Sequence, residues 1–126
     1  GCMLRLLQMA GSVALLVAAS PSLACVPVVD FDFGSVRLNR VAREEIAYRA
    51  RAVLAQPGAT LMLTAITDAA DRNRPLMVRR ARAVRAEAIR QGVPARLISI
   101  RFERGSWQRG VFIDVVPPAG AASGTC

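Results

Sequence analysis

The sequence predicts a small α/β two-layer sandwich of order βαβαββ, a mixed sheet with two helices on one face. Three observations predict it. Apolar residues twice change from strand-like runs to helical spacing. Gly and Pro mark the changes, at Gly34, Pro57-Gly58, Pro75 and Gly92. After the second helical segment, two short apolar runs are separated by one turn, Arg104-Gly105-Ser106. A chain of 126 residues has room for one such domain.

Val26 to Phe33 reads as the first strand. Val29, Phe31 and Phe33 alternate with Asp30 and Asp32, which assigns one buried face and puts both phenylalanines in the core. Asn39 caps the first helix, where Ala42, Ile46, Ala50 and Val53 recur at helical spacing until Pro57-Gly58. Thr60 to Ile66 (TLMLTAI) is almost continuously apolar, as in a central strand covered on both sides. The second helix spans Pro75 to Gln91, with Asn73 as its cap, Pro75 in its first turn and Gly92 at its end. Arg96 to Phe102 is the third strand, with Leu97 and Ser99 on the face opposite Ile98 and Ile100, and Val111 to Val116 is the fourth. Pro117 to Cys126 is a Pro/Gly/Ala/Ser-rich irregular tail. There is no internal repeat, and the domain occupies 25–116.

The first 24 residues read as a secretory leader. Gly1 and Cys2 precede Met3 and read as non-native leading residues. Arg5 supplies the positive end, Met9 to Ala19 the apolar run and Ser22-Leu23-Ala24 the cleavage site. The run falls short of the ~20 residues of a membrane-spanning helix, and Pro21 interrupts it. Cleavage leaves Cys25 and Cys126. In an oxidising periplasm they pair as a disulfide, stabilising by up to ~4–5 kcal/mol in the chain-entropy model. The rival reading is acylation of Cys25, although Ser22 stands where a lipobox has Leu. Membrane attachment is expected only with that acylation or with a retained leader.

The formal charge is +8, carried by 17 Arg and no Lys, which points to GC-rich coding bias before it points to function. A basic surface attracts anionic glycan, teichoic-type polymer or lipid headgroups. Nucleic acid is not expected as a partner of an exported chain. The absence of His removes the usual catalytic triads and makes a zinc site unexpected. Trp107 and Tyr48 give no stacking platform, and adjacent Glu44 and Glu45 read as surface residues. No catalytic constellation, metal site or cofactor site emerges.

What remains is a constellation around the second helix. Thr67-Asp68 ends the central strand, a short polar loop follows, and Asn73-Arg74-Pro75-Leu76 runs into a helix bearing Arg80-Ala81. Met77, Ala81, Val84 and Ala88 form the apolar stripe, and Arg80 falls roughly 60° from its centre, at the border. A border arginine either reaches solvent or folds over a pocket. A carboxylate before the loop and a guanidinium after it could grip a small zwitterion from both ends. Asp71 competes with Asp68 for the acidic role. The run Arg72, Arg74, Arg79, Arg80, Arg82 and Arg85 reads as a solvated face before a polyanion track.

These segments resemble the OmpA-like C-terminal domain, found also in peptidoglycan-associated lipoproteins and flagellar stator proteins. Val29-Asp30-Phe31-Asp32-Phe33-Gly34-Ser35 with Leu38 resembles the family's opening strand, and Thr67-Asp68 its G-H-T-D strand end. Asn73, Leu76, Arg80-Ala81 and Val84 resemble its N-x-x-L-S-x-x-R-A-x-x-V helix. Gly92-Val93-Pro94 with Leu97-Ile98 and then Arg109 to Val116 resemble its last turn and closing strand. The resemblance implies non-catalytic binding of the peptidoglycan stem peptide, with Asp68 and Arg80 holding the amino and carboxylate groups of diaminopimelate and Thr67, Asn73 and Leu76 lining the pocket. The chain departs from the pattern at Ala65 and Ile66 (Gly and His or Tyr in the family) and at Met77 (Ser). Only four residues separate Asp68 from Asn73, with no Gly among them, a shorter loop than the family's. Those departures carry the alternative, an envelope subunit that kept the fold, lost the pocket and binds a protein partner.

Overall fold

A computed structural model describes residues 28–105 and 110–119. The leader, Cys25, Cys126, Trp107 and the tail from residue 120 lie outside the described residues. The elements are β1 (Val28–Val29), α1 (Arg40–Leu54), β2 (Thr60–Thr67), α2 (Arg74–Arg90), a 3₁₀ turn (Ala95–Leu97), β3 (Ile98–Arg104) and β4 (Val111–Val116). The sheet order is β1-β4-β2-β3, with β2 parallel to β3 and antiparallel to β4, and β1 antiparallel to β4. This is the expected mixed sheet, with β2 flanked on both sides.

The alternation within β2 decides what the sheet buries. Leu61, Leu63 and Ala65 are fully buried and register with Ile98, Ile100 and Phe102 on β3 and with Val115, Ile113 and Val111 on β4. They meet Ala42, Ile46, Ala50 and Val53 of α1 and Met77, Ala81, Val84 and Ala88 of α2 in one core. The alanines let the helices approach closely, and α1 and α2 also touch each other, so both cover the same face. Among the described residues the other face has no helical cover, contrary to the expectation for TLMLTAI. There Met62 and Ile66 are half-buried, and Thr64 is buried because neighbouring side chains lie over it; Arg101 Nε donates to its Oγ1 at 3.2 Å.

The first strand differs most from its expected extent. Among the described residues only Val28–Val29 pair, Val26 and Pro27 lying outside them, and Gly110 sets how closely, since a Cβ there would lie 2.5 Å from the Val29 carbonyl oxygen. Phe31 is buried as expected, but Phe33 is 91% exposed. It sits in a turn closed by Ser35 N–H donating to the Asp32 carbonyl at 3.0 Å, with Gly34 at φ 70°. Asp at the first position and Gly at the third suit a type II turn, which ends the alternation.

The helix ends follow local chemistry. Asn39 Oδ1 accepts from Ala42 N–H at 2.8 Å, the expected cap. Gly92 ends α2 with φ 106°: its N–H donates to the Ile89 carbonyl and Val93 N–H to that of Ala88, a Schellman motif over the buried Val93–Ala88 pair. The 3₁₀ turn after Pro94 delays β3 by two residues from its expected start. Glu44 is exposed as expected, but Glu45 is half-buried, accepting from the buried Arg49 Nε at 2.6 Å. Glu87, buried on α2, accepts from Arg90 and Gln91.

Gly92→Ala is expected to destabilise the fold by about 1–2 kcal/mol through left-handed backbone strain, since its methyl would meet Leu54 at an ordinary 3.6 Å. Chemical denaturation checks it. Burial raises the Glu87 pKa, but the bonds from Arg90 and Gln91, with Arg43 nearby, outweigh it and hold the carboxyl below its ordinary 4.5. A depressed folded-state pKa gives stability that is complete above pH 4.5 and lost as pH falls through the lower folded value. The melting temperature is therefore expected to drop below pH 4.5 more steeply in the wild type than in Glu87→Gln.

Candidate functional site

β2 delivers Thr67 and Asp68 to the start of loop 68–73, and the loop's own bonds fix their neighbours. Asp68 N–H donates to Asn73 Oδ1 at 2.8 Å, drawing the two ends of the loop together. Asn73 therefore stands at the N-cap position of α2 without making a side-chain cap bond, which corrects its expected role. Its amide oxygen is committed to the loop. The Asp68 carboxylate is committed too: Oδ1 accepts from Arg72 N–H at 2.8 Å, and Oδ2 lies 3.3 Å from Arg72 Nε. The Arg72 side chain is exposed and that of Asp68 half-buried, so this ion pair meets water along one side.

Asp71 makes the loop short. It adopts φ 58° in place of a glycine, a conformation Asp tolerates better than most residues. Its Oδ2 lies 3.2 Å from Arg104 Nη2, and Arg104 Nη1 donates to the Ala69 carbonyl at 2.8 Å. Thr67 is buried, with Oγ1 3.5 Å from both Asp71 Oδ1 and the Glu103 carbonyl. Asp71 thus belongs to a brace between the loop and β3, while Asp68 faces Arg72.

Arg80 lies on α2 about 10 Å beyond Asn73 along the axis. It is 3% exposed. Its Nε donates to the Ser35 carbonyl at 2.7 Å and its Nη2 to the Asp32 carbonyl at 2.9 Å, so the guanidinium spans both ends of the 32–35 turn. The Phe31 ring centroid lies 5.0 Å from its central carbon, and Met77 Sδ lies 3.6 Å from Nη1. The border position read from the helix angle is resolved inward. Thr67, Asp68 and Asn73 come together at one end of α2, Leu76 is half-buried on the next turn, and Arg80 points to the segment between β1 and α1. Asp68 makes its bonds with Arg72 and Asn73, not with Arg80.

The sequence reading did not find three of these partners, Arg72 and the carbonyls of Asp32 and Ser35. Arg72 was legible as i+4 from Asp68 across a turn. The Asp32 and Ser35 carbonyls were not, since they sit 48 and 45 residues away in sequence.

No protein-family model matches the sequence, and no curated protein does. Solved structures do match in shape. The peptidoglycan-associated lipoprotein of Burkholderia pseudomallei aligns over 77% of this chain and 97% of its own, at TM-score 0.63 and 20% identity. The C-terminal domain of Helicobacter pylori MotB aligns over 73% and 85%, at 0.60 and 18%. The OmpA-like domain of FopA1 from Francisella tularensis aligns over 71% and 71%, at 0.60 and 15%. The fold is that of OmpA-like domains. Within this OmpA-like fold, the segment before α1 is fastened to α2 through Arg80.

Arg80→Lys is expected to destabilise the domain by about 1–3 kcal/mol, because one ammonium cannot reproduce a planar fork across two carbonyls. Arg72→Ala, which removes an exposed ion pair, is expected to stay within about 1 kcal/mol. Urea denaturation of both variants checks the contrast.

Proposed function

We propose that the chain is a non-catalytic module of the cell envelope, working on the periplasmic side, that binds the peptide stem of peptidoglycan at its diaminopimelate end. The observation that carries this reading is the shape shared with a peptidoglycan-associated lipoprotein over nearly all of that protein, with Asp68 and Arg80 at either side of one loop–helix unit. In this reading the ligand's ammonium takes the Asp68 carboxylate from Arg72. Its carboxylate takes the Arg80 fork from the neutral carbonyls of Ser35 and Asp32, which a charged bidentate acceptor outcompetes. Thr67, Asn73 and Leu76 line the space between.

One observation favours a second reading. The Arg80 guanidinium is turned inward and holds the 32–35 turn, as expected if this arginine now serves the fold. The chain would then be an OmpA-like subunit whose partner is another envelope protein.

Retention of the chain on purified sacculi rich in diaminopimelate separates the two. Wild type is expected to be retained, and Asp68→Asn to lose about tenfold in affinity while melting at the wild-type temperature. Free diaminopimelate should release the bound chain. A folded wild type that passes through unretained would leave the second reading in place.

A further inference from the structure

The outward side of α2 carries a second set of arginines, separate from Arg80. The helix holds six arginines and a single acid, Glu87, whose carboxylate is already bonded to Arg90 and Gln91. Among the described residues, Arg79, Arg82 and Arg85 have no acidic partner. Arg79 and Arg82 are i, i+3 neighbours, as are Arg82 and Arg85, and like charges at that spacing disfavour a helix. The first turn holds no acidic residue, so Arg74 stands at the positive end of the helix dipole, which also opposes helix stability. No acid among the described residues offsets this repulsion at Arg79, Arg82 or Arg85. A bound anion would relieve it.

The geometry also supplies a place for one. Arg74, Arg79 and Arg82 line an open groove of about 550 Å³ together with Pro75, Val78 and Asp71. Arg74 is held at the rim by stacking, its central guanidinium carbon 4.4 Å from the Phe102 ring centroid. Asp71 is the acid in the lining, and Arg104 at 3.2 Å offsets its charge. A single carboxylate is satisfied by one guanidinium fork. A phosphate group, with three acceptor oxygens and up to two charges, engages two forks at once. Pro75 and Val78 add apolar surface beside the arginines for the uncharged part of such a ligand.

We propose that this groove is a binding site for a phosphate-bearing ligand, its phosphate group held by Arg79 and Arg82 with Arg74 at the rim. The site is independent of the Asp68–Arg80 reading. The test is calorimetric titration of the full chain with inorganic pyrophosphate, beside sodium acetate at equal ionic strength and vesicles of phosphatidylglycerol. The variants are Arg79→Gln/Arg82→Gln and a charge-matched control, Arg37→Gln/Arg96→Gln, at two exposed arginines elsewhere. Saturable pyrophosphate binding is expected, weakened at least about tenfold in the first pair and unchanged in the control, with acetate giving no signal. An equal loss in both pairs would reduce the effect to net charge and overturn the site. So would binding of the vesicles alone, which would make the face a lipid-contacting surface, or binding of neither probe by a folded chain. Asp68→Asn should leave pyrophosphate binding intact, so this proposal and the peptidoglycan reading can fail separately.

Discussion

A guanidinium withdrawn from water must be given acceptors, and that requirement at Arg80 organises one end of this domain. Its fork is supplied by the carbonyls of Asp32 and Ser35 and its flat face by Phe31. The Asp32 carbonyl also accepts Ser35 N–H, so a single oxygen fixes both the turn and the helix contact. Much follows from this. The turn places Phe33 in solvent, the path from β1 to Asn39 is set, and α2 is tied to a segment outside its own strand pairing. Without such acceptors an arginine next to the apolar stripe would be expected to turn outward, as Arg79 and Arg82 do.

The same contact shows where reading the sequence stops. The helices, β2 and β4 were legible because each rests on local signals: helical spacing, Asn39, Pro75, Gly92 and short apolar runs. Phe33 was misread because two-residue alternation was followed through Asp32-Phe33-Gly34-Ser35, where turn chemistry outweighs it. Asn73 was read as a cap by residue type. Its oxygen instead serves Asp68 N–H, a choice set by the shortness of the loop. For Arg80 the helix angle located the border correctly, but its direction was decided by carbonyls far away in sequence. Residue type, spacing and the family resemblance together marked the candidate site residues; they could not say which are already occupied.

Occupancy is the physical issue for Asp68 and Arg80 as the proposed ligand pair. The two halves are held by bonds of unlike strength. Asp68 Oδ1 is held by the Arg72 backbone N–H, whereas the ion pair of Oδ2 with the Arg72 side chain is open to solvent on one side and therefore weak, so an incoming ammonium has only that pair to displace. The partners of the buried Arg80 include two neutral carbonyls, those of Ser35 and Asp32. A ligand carboxylate would have to detach the 32–35 turn or share the fork with it. The short loop contributes to this asymmetry, since Asp71 supplies the left-handed residue and its brace to Arg104 leaves Asp68 facing Arg72. The acidic half remains accessible, while the basic half is coupled to the opening of a turn.

The neighbouring positions Arg79, Arg80 and Arg82 differ in role first by helical angle. With 100° per residue, Arg80 is carried to the core border, and Arg79 and Arg82 to the outward side. Each also raises the positive potential felt by the others, so an anion on the outer groove would ease the burial of Arg80 as well as the repulsion between its neighbours. The two faces of α2 are therefore electrostatically linked even though no side chain bridges them. Neutralising the outer arginines is expected to leave the contacts of Arg80 with the 32–35 turn in place.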